Sequence, residues 1–333
     1  MMIHQFKALM ARETNGVFNA NVEQISMTEI PKNEVLIKVA YSSVNFKDAL
    51  SASGNKGVTR KFPHIPGIDA AGQVVSSTSG CFTKGDNVIV TGYDLGMNTW
   101  GGFGEFVSVP ANWVIKLPDG LSLFEAMCFG TAGLTAGLSV YNLIHSGIEK
   151  EQGTIVVSGA TGGVGSISIA ILSKLGYEVV AISGKEEYQF INQILGASSI
   201  ISRKEFIETY DQKAMSKADY SGGIDTVGGS ILSGILKSLK YNGAVTTCGN
   251  VASAEISTSI FPFILRGVKL IGIDSVEQPL EFKEEIWNLL AHEWKPTYLK
   301  EIVKEISIEE LPDVLTTILE GNAKGRFVLN HSF

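Results

Sequence analysis

Three cysteines in 333 residues, Cys81, Cys128 and Cys248, are odd in number and far apart. That argues against a disulfide framework and clustered thiolate ligands, and it points to a reducing compartment. Positive charge is not in surplus: Lys and Arg total 27 against 34 Asp and Glu, a net charge of −7. No global basic field is present to gather nucleic acid or an anionic membrane. No apolar run approaches ~20 residues without a polar interruption, and "MMIHQFKALMARETNG" lacks a signal peptide's apolar core, so a cytoplasmic protein is expected. Internal repeats and low-complexity segments are also missing. What is present, 44% apolar and 18% charged residues, suffices for two globular domains with a sizeable core in each, and for a small-molecule partner.

Two textures divide the chain. Up to about Leu121, short β-branched or alternating runs ("EVLIKVAYSSV", "GIDAAGQVVSS", "DNVIVTG", "GEFVSVP", "WVIKLP") alternate with Gly, Pro and Asn, the pattern of a β-rich barrel or roll. Ser122 with Glu125 then makes a capping box that opens a helix reaching about Ile144. From Gly153 to about Asp274, the apolar runs "TIVVS", "EVVAIS", "SSIIS", "GIDTV", "GAVTTCG" and "VKLIGID" alternate with helical patterns near 164–175, 186–195, 204–218 and 229–240. Strands joined by crossover helices predict an α/β fold with a doubly wound parallel (Rossmann) sheet of six strands. An amphipathic helix near 280–293, another near 308–320 and a last strand, "GRFVLN", follow, and that strand is expected to rejoin the first β structure. The expected domains are 1–121 with 294–333, β-rich and carrying substrate and catalysis, and 122–293, binding a dinucleotide.

"VVSGATGGVGSISIAILSKLG" sets Gly159, Gly162, Gly163 and Gly165 between a strand and a helix. Ala160 replaces the first glycine of G-x-G-x-x-G, whereas Gly162 and Gly165 match the second and third. Gly162 lets a pyrophosphate approach the helix N-terminus, and Gly165 lets helix and strand pack closely. A tight strand-to-helix turn without a ligand is the alternative. At the end of the second strand an NAD site usually carries an acid for the ribose 2′-hydroxyl. Here "AISGKEEY" places Ser183 at that point with Gly184 and Lys185 after it, and Arg203 follows the third strand. A hydroxyl and cations favour the 2′-phosphate of NADPH, although Glu186 and Glu187 weaken the local positive field.

The motifs "YSSVNFKDAL", "RKFPHIPGIDAAG", "WGGFGEF", "GTAGLTA", "SGATGGVGS" and "PFILRGVKLIGIDSV" resemble those of the medium-chain dehydrogenase/reductase superfamily, in its zinc-free quinone oxidoreductase branch that contains acrylyl-CoA reductases. The resemblance spans nearly the whole chain and implies a GroES-like β-rich domain beside the Rossmann domain. Zinc relatives carry Gly-His-Glu and a four-cysteine lobe. Here the matching stretch is "PGIDAAG" with Ile68 and Asp69, and no convergent ligand set is visible; His64 reads as a turn histidine. Position by position, the resemblance implies that Tyr41 lies near the nicotinamide end of the cofactor. It gives the pyrophosphate to Thr161, Gly162, Gly163 and Val164, the 2′-phosphoribose to Ser183, Gly184, Lys185 and Arg203, and the nicotinamide side to Asn250, Ile264 and Ser275. A further contact falls near Asn322.

Without a metal to polarise a carbonyl, such a site suits conjugate reduction: hydride reaches the β-carbon, charge builds on the carbonyl oxygen, and a proton reaches the α-carbon. Tyr41, Asn45 and Asp48 are the polar candidates in one motif, Asn45 as a donor and Tyr41 as a donor or proton relay. Asn45 and Asp48 also suit turn fastening to their own backbone. Arg60, with Lys61, offers charge to a phosphorylated handle such as that of coenzyme A, or simply to solvent. The expected function is NADPH-dependent reduction of acryloyl-CoA to propanoyl-CoA. The alternatives are a quinone or enone reductase acting without CoA, and a non-catalytic dinucleotide-binding sensor. An apolar sheet edge near 268–275 is expected to pair two subunits into a homodimer, as relatives in the resembled family do; the alternative is that the helix near 280–293 covers it within one chain.

Overall fold

Asn15 and Gly16 have φ values of +53° and +78°, the geometry that a two-residue Asn-Gly hairpin turn requires. They join β1 (Gln5–Thr14) to β2 (Val17–Ser26) as an antiparallel pair. The computed structural model describes residues 4–332. After the hairpin come β3 (Val35–Val44), the short helix α1 (Phe46–Ala52), β4 (Asp69–Ser77), β5 (Asn87–Thr91), β6 (Phe106–Val109) and β7 (Val114–Lys116). Val35, Ile37 and Val39 alternate inward along β3, the period of two that half-buried strands show.

The helix α2 (Leu123–His145) opens on the expected capping box: Ser122 N donates to Glu125 Oε2 (3.0 Å) and Glu125 N to Ser122 Oγ (3.2 Å). It is long and apolar enough to cross a membrane by length and composition, but 78% of its apolar window is buried within the fold, as in a core helix. Gly130 interrupts it with φ +53° and ψ −156°. A Cβ at Gly130 would strike Ser43 Oγ at 2.2 Å and Asp69 Oδ2 at 2.7 Å, so only glycine lets β3 and β4 come this near the helix. The chain divides into two compact units, one of residues up to Thr131, Val276–Ala291 and from Val303 onward, the other of Ala132–Ser275 and His292–Ile302. The division falls within α2, just after Gly130.

The second unit contains β8 (Ile155–Ser158), α3 (Gly163–Lys174), β9 (Val179–Ser183), β10 (Ser199–Ser202), α4 (Arg203–Tyr210), β11 (Tyr220–Asp225), α5 (Gly229–Ser238), β12 (Leu239–Thr247), α6 (Phe261–Arg266) and β13 (Lys269–Gly272). The strands form one six-stranded sheet in the order β10-β9-β8-β11-β12-β13, and every pairing is parallel. This is the expected doubly wound sheet, with its order reversing between β8 and β11. Its central strands are buried end to end, and Val156, Ile182, Phe206, Ile231, Ile235 and Val245 share one apolar cluster.

Two helices differ from expectation. The pattern at 186–195 gives only a wide turn over Phe190–Ile194, with Leu195 N bonded to Phe190 O, ended by Gly196 at φ +84°. α4 stops at Tyr210 and does not run to 218, because Asp211 is drawn to Lys237 (2.6 Å) and Ser216 N bonds Lys237 O.

The chain then adds α7 (Leu280–Ala291), β14 (Val303–Ile306), α8 (Leu311–Leu319) and β15 (Arg326–Asn330) to the first unit. The last strand returns as expected: the sheet order is β14-β15-β3-β4-β5-β7, with β6 also paired to β3. Phe6, Leu9, Ile65, Phe103, Leu311 and Leu329 belong to one core cluster of this unit, and Val35, Ile37, Val74, Val88 and Val107 to another.

Candidate active site

In the second unit, the turn from β8 to α3 closes on itself: Gly159 takes φ +61° and Gly162 N donates to Gly159 O at 2.8 Å. A Cβ at Gly165 would lie 2.3 Å from Gly159 O and 2.9 Å from Ser158 O. Both are backbone atoms, so this glycine is what lets α3 lie against its strand. Gly162 caps α3 with φ −81° and stands 3.2 Å, as a hypothetical Cβ, from Gly159 O. Thr161, Gly162, Gly163 and Val164 therefore bracket the start of a 12-residue helix, where the first backbone N–H groups have no intrahelical acceptor and fit an anion.

Ser183 ends β9, with its hydroxyl bonded to both the N–H and the carbonyl of Lys185 at 3.0 Å. The Arg203 side chain lies over Gly184, 3.1 Å from where a Cβ would stand. The Lys185 ammonium is held below its ordinary pKa by burial first and by the Arg203 charge second, with Glu187 opposing. Two cations thus share one small area, an arrangement that a doubly charged phosphate would relieve.

At the far side of this sheet, Asn250 lines an open depression of about 640 Å³ together with Thr247, Cys248, Gly249, Gly272, Ile273 and Asp274. Ser275 is buried, its hydroxyl accepting from Thr135 Oγ1 at 2.8 Å. Ile264 stands 63% exposed on α6 and is not among the residues lining that depression. Burial pushes the Cys248 thiol up to about 12, so it stays protonated. Sequence reasoning missed Asp225, the buried last residue of β11. It accepts from Ser158 Oγ (2.8 Å), Gly228 N (2.9 Å) and Thr247 Oγ1 (3.0 Å). A lone acid ending an apolar run, "GIDTVGG", was the available signal.

In the first unit, Tyr41 is half-buried on β3, its ring edge-on to Phe124 at 5.4 Å, and its hydroxyl has no hydrogen bond among the described residues. Asn45, which follows β3, was expected to offer its amide to substrate. The structure gives that amide other partners: Nδ2 donates to Asp69 Oδ2 (2.8 Å), and Oδ1 accepts from Arg326 Nη1 (3.1 Å). Buried charges on both sides outcompete solvent for it. Asp48 is fully buried and accepts from Ile68 N (2.8 Å) and Asn45 N (2.7 Å). Burial, and then Asp69, raise its pKa to about 7. Asp69 takes Ser43 Oγ, Asn45 Nδ2 and Thr131 N (2.8 Å) on Oδ2 and Thr131 Oγ1 (2.5 Å) on Oδ1. It thereby caps the part of α2 that restarts after Gly130. Arg326 is buried on β15 and also donates to Val44 O (3.3 Å).

Arg60 and Lys61 are exposed and make no ion pair among the described residues; Arg60 N donates to Asn98 Oδ1 at 3.3 Å. Asn322, exposed in the turn after α8, bonds Thr317 O and Glu320. His64 is buried, its backbone exchanging hydrogen bonds with Ala11 at 2.8 and 2.9 Å. Among the described residues no group of three or more His, Cys, Asp or Glu side chains is placed to hold a metal ion.

Comparison with known proteins gives these sites a context. Residues 31–119 match the alcohol dehydrogenase GroES-like domain, and residues 163–292 match the zinc-binding dehydrogenase family. The chain is 44% identical over 327 residues to the Bacillus subtilis protein YhfP, named for quinone oxidoreductase activity, covering 97% of this chain and 98% of that one. The YhfP crystal structure with NAD bound superposes with a TM-score of 0.94 over 98% of this chain and 99% of that one. Acrylyl-CoA reductase AcuI of Ruegeria pomeroyi is 39% identical, with 96% of each chain covered. The Salmonella enterica yhdH oxidoreductase in complex with NADP is 38% identical, with a TM-score of 0.94, over 97% of this chain and 99% of that one. With the two-unit fold and the glycine turn described above, these likenesses make the chain an oxidoreductase of the medium-chain dehydrogenase/reductase superfamily, in the branch that holds quinone oxidoreductases and acrylyl-CoA reductases.

Proposed function

We propose that the chain is an NADPH-dependent reductase of carbon–carbon double bonds conjugated to a carbonyl, turning acryloyl-CoA into propanoyl-CoA without a metal. The observation that carries the cofactor reading is the end of β9, where Ser183 replaces the usual acid and Lys185 and Arg203 converge. The likeness to acrylyl-CoA reductase AcuI supports the substrate. Bound NADPH supplies a hydride to the β-carbon. The N-terminus of α3, from Thr161 to Val164, receives its pyrophosphate, and the glycine cradle leaves the room that a side chain would fill. Ser183, Gly184, Lys185 and Arg203 hold the 2′-phosphate. Asn250, Ile264 and Ser275 serve the nicotinamide side, and Asn322 adds a contact.

Tyr41, whose hydroxyl is uncommitted, donates to the developing enolate oxygen or passes a proton to the α-carbon. Asn45 and Asp48 act as positioning groups for the strand end that bears it. Arg60, with Lys61 beside it, meets the phosphates of the CoA handle. The enzyme works in the reducing cytoplasm, consistent with three free thiols, as a homodimer paired through β13.

A second reading, reduction of a quinone without CoA, is favoured by the likeness to YhfP. Steady-state oxidation of NADPH and NADH, each with acryloyl-CoA and with 1,4-benzoquinone, decides between them. Turnover of acryloyl-CoA with preference for NADPH is expected. Turnover of the quinone alone would establish the second reading, and tight NADPH binding with no turnover of either compound would contradict both.

A further inference from the structure

We infer that Asp225 is a positioning residue that holds the two halves of the dinucleotide site at a fixed spacing; this rests on the reading of the second unit as an NADPH site. Asp225 ends β11, which lies between β8 and β12 in the sheet. One carboxylate gathers all three strand ends: Oδ1 takes the Ser158 hydroxyl that ends β8, and Oδ2 takes the Thr247 hydroxyl that ends β12. Its own strand's continuation is held through Gly228 N on Oδ2 and Val227 N on Oδ1. Ser158 leads directly into the glycine turn. Thr247 leads directly into Cys248, Gly249 and Asn250, which line the depression.

Backbone packing makes this brace stiff. Thr226, the next residue, donates from N to Ser158 Oγ (2.9 Å) and from Oγ1 to Ser158 O (3.1 Å). A Cβ at Gly159 would meet Thr226 Oγ1 at 2.2 Å, and one at Gly249 would meet Thr226 O at 2.1 Å. The glycine turn and the segment at Gly249 therefore both rest on the residue beside Asp225, and any shift there reaches both.

The energetics argue that stability alone does not explain the acid. Asp225 is fully buried, burial raises its pKa, and its principal opposing interactions are hydrogen bonds from hydroxyls and backbone N–H groups. A carboxylate buried with neutral donors alone is costly to desolvate, and an apolar residue of similar size is often at least as stable. What the carboxylate adds is acceptor capacity in several directions at once, so that both half-sites are organised before the ligand arrives.

Asp225→Asn keeps the shape and replaces one acceptor oxygen by an amide donor. The Thr247 hydroxyl can turn to accept from it; the Gly228 N–H cannot. Binding of NADP⁺ and of 2′,5′-ADP, which lacks the nicotinamide half, is measured by titration calorimetry on the full-length protein. The expected result is about tenfold weaker binding of NADP⁺, with 2′,5′-ADP changed by no more than about threefold. Equal losses for both ligands, or no loss for NADP⁺, would overturn the inference, because a general loosening of the unit does not distinguish them. Ser158→Ala cuts the same brace at a residue that is fully buried, and the same inequality is expected of it, so an insoluble Asp225→Asn protein leaves the question decidable. Failure of the underlying reading looks different: wild-type protein would bind neither ligand, or Lys185→Ala would weaken NADPH and NADH alike.

Discussion

Asp48 has hydrogen bonds from Ile68 N and Asn45 N, a second carboxylate nearby in Asp69, and a buried guanidinium in Arg326. Its pKa rises from an ordinary 3.8 to about 7 in the folded chain. Between those values the folded state holds a proton that the unfolded state has released, so stability falls as pH rises from about 4 to about 7 and levels off above. Asp48→Asn removes that term. Chemical denaturation of both proteins across this window is expected to give a wild-type stability that declines relative to the variant, by about 4 kcal/mol at most. Parallel curves would show that Asp48 stays ionised throughout. Carboxylates whose pKa values are lowered, such as Glu23 and Glu309, act with the opposite sign and only up to their ordinary value of 4.5, at the acid end of this window. Asp48 and Asn45 stood out in the sequence as a polar pair near a turn, but their partners did not. Asp69 is 24 residues from Asn45, and Arg326 is 281 away. Hydrogen bonds across such separations leave no local pattern to read.

Elements show where local chemistry is enough and where it is not. The glycine turn is local, and its two matched glycines have separable jobs. Gly165→Ala forces a methyl group against backbone oxygens 2.3 and 2.9 Å away and is expected to cost about 1–3 kcal/mol in a denaturation experiment. Gly162→Ala meets one carbonyl at 3.2 Å; it is expected to leave the midpoint nearly unchanged while weakening NADPH binding. A Gly165→Ala midpoint equal to wild type would remove the packing role. The six strands and the α2 cap were legible because β-branched runs and the Ser122/Glu125 spacing act over a few residues. The Asn15-Gly16 hairpin is equally local, since an Asn-Gly pair alone supplies the two positive φ values its turn needs. The early end of α4 was not legible, since Lys237, 26 residues on, draws Asp211 out of the helical path. Gly130 likewise marks a break only once Ser43 and Asp69 are placed against it.

For the whole molecule, net charge and the free sheet edge matter most. A chain of net charge −7 repels a polyanionic cofactor at long range, so the proposed function leaves recognition to local cations, the role proposed for Lys185 and Arg203. β13 is the outer strand of its sheet; Leu270 on it is 37% exposed, and Phe261, Ile264 and Leu265 are exposed on neighbouring α6. An open apolar edge of this kind favours pairing with a second copy. Light scattering at micromolar concentration is expected to give about twice the 35.7 kDa chain mass, with Ile271→Pro returning it toward the monomer by removing a ladder donor. A monomeric wild type would reject the dimer. The central claim, NADPH-dependent conjugate reduction, is tested most directly by following the label from NADPH carrying deuterium at both positions of nicotinamide C4, in ordinary water, with acryloyl-CoA as acceptor. The predicted product is propanoyl-CoA carrying one deuterium at C3 and none at C2; unlabelled product, label at C2, or unconsumed acryloyl-CoA would contradict the account.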